Sequence, residues 1–152
     1  MSQIDIKTLR SEDASQLAPL IAENAQALKR GAPRRPDEFY AENILGDKNA
    51  EVIGAFKEGK LVGFAVFFDM PELITGLRIG QLDNIYVHPD FRKQGIGRQM
   101  IGNMKSTGKS RGWMHIRWMV PESHLMTIGL YETIAEPDRN KSFIIPIERS
   151  GN

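Results

Sequence analysis

The run Leu82-Asp83-Asn84-Ile85-Tyr86-Val87-His88-Pro89-Asp90-Phe91-Arg92-Lys93-Gln94-Gly95-Ile96-Gly97 changes character twice. It starts as a strand, breaks at His88-Pro89-Asp90, and opens a helix at the paired glycines. Gly95 and Gly97 free the backbone for unusual angles and let a ligand approach closely. Unfilled N–H groups at a helix start, with the positive end of the helix dipole, attract an anion. Arg92, Lys93 and Arg98 add positive charge around the turn. The chemical reading is a pyrophosphate cradle.

Working outward, the strand before the turn extends back to about Arg78, behind a loop at Pro71–Gly76. The helix after it carries Ile96, Met100, Ile101 and Met104 on one face, with Gly108 and Gly112 expected to end it. Toward the N-terminus, Ile4–Arg10 alternates as a half-buried strand. Ser11-Glu12-Asp13 then offers a cap and acidic first turn to a helix through Leu17, Leu20, Ile21, Asn24 and Leu28. A basic loop, Lys29 to Pro36, breaks that helix, and Asp37 is placed to cap a second one through Phe39, Tyr40, Ile44 and Leu45. Glu51–Lys57 and Lys60–Asp69 read as a hairpin turning at Glu58-Gly59. Beyond the central helix, His115–Val120 reads as a strand, and Ser123 as the cap of a helix through Met126, Leu130 and Ile134. Phe143–Ile147 reads as a last, edge strand, because Pro146 donates no ladder hydrogen bond. The order β α α β β β α β α β describes a mixed α/β sheet in a single domain spanning 1–152.

Composition narrows the function. A chain of 152 residues buries roughly 69% of its unfolded surface, enough for one core. Its 20 Lys and Arg against 19 Asp and Glu leave a net charge of +1, which argues against a dedicated nucleic-acid binder. With no cysteine there is no disulfide framework, thiolate metal site or cysteine nucleophile. His88, His115 and His124 lack metal-ligand spacing, so no metal is expected. Without a long apolar run or signal-peptide pattern, a cytoplasmic, non-membrane protein is the expectation. Trp113 and Trp118 read as packing residues; Met100, Met104 and Met126 fit helical core positions.

Two familiar phosphate motifs fit poorly. Gly95-Ile96-Gly97 begins like a dinucleotide fingerprint but lacks its third glycine. Gly102 to Ser110 resembles a triphosphate loop, yet five residues separate its glycines where four are needed, and the segment lies within a helix. Arg92-Lys93-Gln94-Gly95-Ile96-Gly97 instead resembles the acetyl-coenzyme A signature of the GNAT superfamily of N-acetyltransferases, (Gln/Arg)-x-x-Gly-x-(Gly/Ala). Ile85 to Arg92 looks like that family's strand-to-turn sequence, and the element order matches over nearly the whole chain. Leu82–Val87, with Val62–Phe68 before it, looks most like the diamine-acetyltransferase branch.

The resemblance implies a mostly antiparallel, twisted sheet flanked by helices, with splayed central strands that admit the thioester of acetyl-CoA. It implies an enzyme that moves an acetyl group directly to a primary amine of a small molecule. The backbone of Ile85, Tyr86 and Val87 would hold the acetyl and pantetheine portion. Arg92, Lys93, Gln94, Gly95, Ile96, Gly97 and Arg98 would form the pyrophosphate turn. Asp83 stands where the diamine branch carries its base, and strand alternation places it on the face of Ile85 and Val87. The base position of other branches falls at Gln81, which cannot act as one. Tyr131 matches the tyrosine that protonates the departing sulfur. His124 stands where the family usually has a coenzyme-contacting asparagine, and Ala135 replaces a helix-closing glycine. Lys29, Arg30, Arg34 and Arg35 would border the acceptor channel and favour an acceptor carrying a carboxylate or phosphate. Monomer and homodimer both stay open, the family often dimerising. So do two alternatives to the leading function: a non-catalytic acyl-CoA-binding or regulatory module, and transfer to a protein amine.

Overall fold

The computed structural model describes residues 3–28 and 38–148. The basic stretch holding Lys29, Arg30, Arg34 and Arg35, and the expected cap Asp37, lie outside the described residues. Five strands form one sheet in sequence order: β1 (Ile4–Thr8), β2 (Ala50–Lys57), β3 (Lys60–Pro71), β4 (Arg78–Val87) and β5 (Trp113–Trp118). The first three pairings are antiparallel, and β4–β5 is parallel. The β2–β3 hairpin turns through Glu58 (φ 52°) and Gly59 (φ 80°). Two successive left-handed residues match the right-handed twist of the strands they join.

Helices cover both faces, which is why β3 is apolar from Leu61 to Phe68 without alternation. On one side lie α1 (Ala14–Ala27) and α2 (Glu38–Leu45), whose Leu17, Leu20 and Ala41 pack with Phe64, Val66 and Tyr86. On the other lies α3 (Ile96–Arg111), burying Ile96, Met100, Ile101 and Met104. A side chain added at Gly63 would come within 3.3 Å of Met100 Cε, so residues 63 and 64 face opposite helices. At the far end of α3, Arg111 makes a bidentate pair with Glu51 (2.6 and 2.8 Å) and reaches Asp69 at 3.1 Å. Burial works to raise the Asp69 carboxyl, but bonds from Arg78 and Arg111 more than offset it and hold it below its ordinary value.

The chain divides into two compact units, Met1–Met119 and Val120–Asn152, and the sheet with its three helices belongs to the first. In the second, α4 (Leu125–Tyr131) is capped by His124, one residue beyond the cap expected at Ser123. Met126, expected in a core, is 91% exposed. No strand forms at Phe143–Ile147. That segment has the apolar, β-branched content of a strand, but strand formation needs a neighbouring backbone, which composition does not supply.

Gly108 does not end α3. It lies buried inside the helix, where a Cβ would meet Trp113 Cε3 at 2.6 Å, and Gly112 (φ 76°) closes the helix instead. Gly108 and Gly80 together make the slot for the Trp113 ring, which also meets Phe67 edge-on at 5.8 Å. Two glycines of α3 should therefore respond with opposite signs. Gly102→Ala, with open space at its Cβ, should stabilise the protein by about 0.5–1 kcal/mol through helix propensity. Gly108→Ala should destabilise it by about 1–3 kcal/mol, because ring overlap outweighs the same propensity gain. Denaturant unfolding of both variants checks the pair.

Candidate active site

The feature that organises the site is the early departure of β5. It pairs with β4 from Arg78 only to Leu82, opposite Trp118, while β4 continues to Val87. Residues 84–87 of β4 are thus paired with β3 on one side and, like Asp83, carry no β5 partner on the other. This is the splay expected from the sequence, and it leaves backbone N–H and C=O groups available to a ligand.

Asp83 does not obey the expected alternation. Val66 pairs with Asn84 and Phe67 with Leu82, so Asp83 is an unpaired bulge residue. A bulge adds a residue to one strand and cancels the period of two across it, so sharing a face with Ile85 no longer follows. Asp83 is exposed beside the free edge. Gln81 does structural work, its Oε1 accepting from Arg117 Nε at 2.9 Å across the β4–β5 pairing.

After Val87 the chain is held tightly before it opens. His88 N–H donates to Val62 O (2.8 Å), and His88 Nδ1 accepts from Asp90 N–H (3.1 Å), shaping the 3-10 turn Pro89–Phe91. Lys93 (φ 63°) and Gly95 (φ 80°) are left-handed, and α3 begins at once with Gln99 N–H donating to Gly95 O. A left-handed lysine is uncommon, and such turns gather backbone N–H groups into anion-binding hollows. Nothing lies within 4 Å of a Cβ built on Gly95 or Gly97. The space over the helix start is open.

Charge surrounds that hollow. Lys93 and Arg98 are exposed on the turn and the first helical turn. Lys57 and Lys60 each hold their ammonium 5.7 Å from the Phe91 ring centre, and Lys57 Nζ also donates to Gln94 Oε1 (3.1 Å). The sequence reading missed these two lysines; they flank the Glu58-Gly59 turn, far from the motif in sequence. Arg92 is positioned differently from its neighbours. Its Nε donates to Val87 O (2.8 Å), and its guanidinium lies 5.4 Å from the Tyr86 ring centre.

Behind β4, α1 supplies an anchor that sequence reading located but did not interpret. Asn24, standing in the apolar stripe of α1, is buried, and its Nδ2 donates to Asn84 Oδ1 at 2.7 Å. A buried amide needs such a partner, and this bond fixes α1 against the splayed half of β4. In the second unit, Tyr131 is the last residue of α4, and His124 precedes its first turn. Burial raises the Tyr131 phenol above its ordinary value. Among the described residues no cluster of three or more His, Asp or Glu is arranged to hold a metal, and no helix is long and apolar enough to cross a membrane.

A splayed, mixed five-strand sheet flanked by helices, with an open turn at the start of the helix after β4, matches the fold of N-acetyltransferases of the GNAT kind. The chain belongs to the acetyltransferase (GNAT) family, whose family model matches residues 17–135. It is an acetyltransferase enzyme by that membership and by its relatives. The thialysine N-epsilon-acetyltransferase of Mus musculus is 25% identical over 152 residues, covering 93% of this chain and 89% of its own. The crystal structure of a ribosomal-protein-alanine N-acetyltransferase from Brucella melitensis biovar Abortus 2308 superimposes with a TM-score of 0.88 at 45% identity, covering 95% of this chain and all (100%) of that one. The aminoglycoside N-acetyltransferase AAC(6')-Iy in complex with CoA shares the fold at TM-score 0.77 and 18% identity, covering 98% of this chain and 97% of that one.

Gly97 separates folding from ligand binding. Gly97→Val places a side chain into open space, so the melting temperature should change little beyond the small helix-propensity gain of valine over glycine. The same side chain fills the hollow, so the KM for acetyl-CoA should rise by about tenfold or more. Steady-state kinetics beside a thermal melt read both effects; an unchanged KM would contradict the assignment of the hollow.

Proposed function

We propose that this chain transfers an acetyl group from acetyl-CoA directly to a primary amine of a small molecule, the whole chain acting as one catalytic domain. The observation that carries the reading is the free β4 edge at 83–87 leading straight into the open turn at 93–98. The family match, spanning 17–135, supports treating the chain as one functional domain.

The thioester supplies an acyl carbon whose bond to sulfur breaks as the amine nitrogen bonds to it. The backbone of Ile85, Tyr86 and Val87 holds the acetyl and pantetheine portion, with an N–H near Val87 facing the carbonyl oxygen as it gains charge. The backbone from Lys93 to Arg98 binds the pyrophosphate, and His124 hydrogen-bonds the coenzyme. Asp83, exposed at the bulge, takes the amine proton through water. Tyr131 gives a proton to the departing thiolate, and burial keeps its phenol protonated through neutral and moderately alkaline pH. The absence of cysteine favours direct transfer, since no thiol is there to carry the acetyl group.

A second reading, transfer to a protein amine, is favoured by the name of the Brucella structure at 45% identity. The small-molecule reading draws on the thialysine enzymes, which cover 93% of the chain in mouse. An amine panel that includes small diamines, amino acids and an alanine-headed peptide, read by release of free coenzyme A, separates the two.

Tyr131→Phe should lower kcat by about 10²-fold or more if the phenol is the acid. A general acid fails once deprotonated, and this pKa is raised, so the alkaline limb of the wild-type kcat profile assigned to Tyr131 should lie above about pH 10. A Phe variant with wild-type turnover across pH would remove the assignment.

A further inference from the structure

The turn between β3 and β4 displays two adjacent aliphatic side chains, Leu73 at 91% exposed and Ile74 at 88%. The loop that carries them is built by its polar residues. Glu72 N–H donates to Leu77 O (2.7 Å), and Gly76 N–H donates to Glu72 O (3.0 Å). The Glu72 carboxylate accepts from the N–H groups of Ile74 (3.2 Å) and Thr75 (2.8 Å) and from the Thr75 hydroxyl (2.6 Å). Thr75 Oγ1 also lies 3.1 Å from Met114 Sδ, which ties the tip to the start of β5. Leu73 and Ile74 are therefore held outward in one fixed geometry, and the fold gains no burial from them.

Behind the tip lies a shelf of Met70, Leu77 and Met114, each between 38% and 51% exposed. Alternation along β3 puts Met70 on the face of Phe64 and Val66, which α1 and α2 cover. Exposure rises along that face from Val66, buried, through Phe68, half-buried, to Met70, exposed. Tip and shelf together expose on the order of 500 Å² of apolar surface, in the upper part of the range for the largest patch on a monomer, about 300–600 Å². The charges at its border are spent on one another. Arg78 bonds Asp69 at 2.7 Å, and Arg111 holds both Asp69 and Glu51. A lipid surface is usually met by basic residues beside the apolar ones, and these two arginines are already paired.

We infer that this patch is a homodimer contact, in which a second copy of the chain lays its Leu73 and Ile74 on the shelf of Met70, Leu77 and Met114 and receives the same in return. In a two-fold contact the same patch must serve both partners, with residue i meeting j and j meeting i. A patch that combines a projecting pair with a shallow apolar shelf meets that condition by itself, and its neutralised border does not repel a copy of itself. Two such patches face to face bury about 1,000 Å², the area at which a biological interface begins. The tip stands at the Arg78 end of β4, the other end from the edge left free by β5. The inference is thus independent of the acetyl-transfer reading.

Sedimentation of the wild-type chain across the micromolar range should show a monomer–dimer equilibrium. Leu73→Asp combined with Ile74→Asp should raise the dissociation constant by about 100-fold or more, since each charge would be buried unpaired in the contact. Far-UV circular dichroism should stay unchanged, because Glu72 and Thr75 build the loop. A second measurement does not depend on that variant. The chain has no cysteine, so introduced thiols report contact alone. Leu73→Cys chains mixed with Met114→Cys chains should join by a disulfide between copies on mild oxidation, and Leu73→Cys mixed with Lys105→Cys, on α3, should not. A chain that stays monomeric, a dimer that the paired Asp substitutions leave intact, or positions 73 and 114 that fail to join across copies would overturn the inference. A monomer that instead binds phosphatidylcholine vesicles through Leu73 and Ile74 would assign the tip to a lipid surface and overturn it equally.

Discussion

The structure depends on one limit to strand pairing: β5 leaves β4 after Leu82, and β4 runs on to Val87. A strand with one unpaired edge in the middle of a fold carries polar groups that require a partner. Here that edge leads directly to a turn whose left-handed residues and helix start gather N–H groups. The edge and the turn together form a continuous polar track, along which we propose that the thioester and diphosphate of acetyl-CoA lie. Everything else in the first unit holds the track in position. Asn24 fixes α1 to Asn84, His88 is pinned to Val62, and α3 is seated by Met100 and Met104 on the sheet.

Local rules made much of this legible. Glu58-Gly59 reads as a hairpin turn because a positive φ suits glycine, and the strand Arg78–Val87 matches its pattern at both ends. The glycines at 95 and 97 mark the turn, where Gly95 is left-handed (φ 80°) and open space lies over both. The same rules fail where tertiary packing overrides them. Gly108 looks like a helix end, yet it is a notch cut for Trp113. The period-two rule across Asp83 fails at a bulge that only the β3 register reveals. Phe143–Ile147 has the composition of a strand without forming one.

The candidate site was legible only where it is contiguous. The proposed pyrophosphate turn is a single run of sequence, whereas Asp83 and Tyr131 enter as candidates only through the family resemblance. The Glu23–Tyr86–Arg92 grouping is legible in neither way, because the fold alone brings Glu23 of α1 to the end of β4. Lys57 and Lys60 reach Phe91 for the same reason. The near-neutral total charge therefore conceals a local order, with cations gathered at the turn.

The most direct test of the central claim is an amide NMR titration of the protein with coenzyme A. Ligand bound along the proposed track should shift the amides of Ile85–Val87 and Lys93–Arg98 together, with one dissociation constant. Shifts confined to other regions, or a shifted turn beside an unchanged β4 edge, would contradict it.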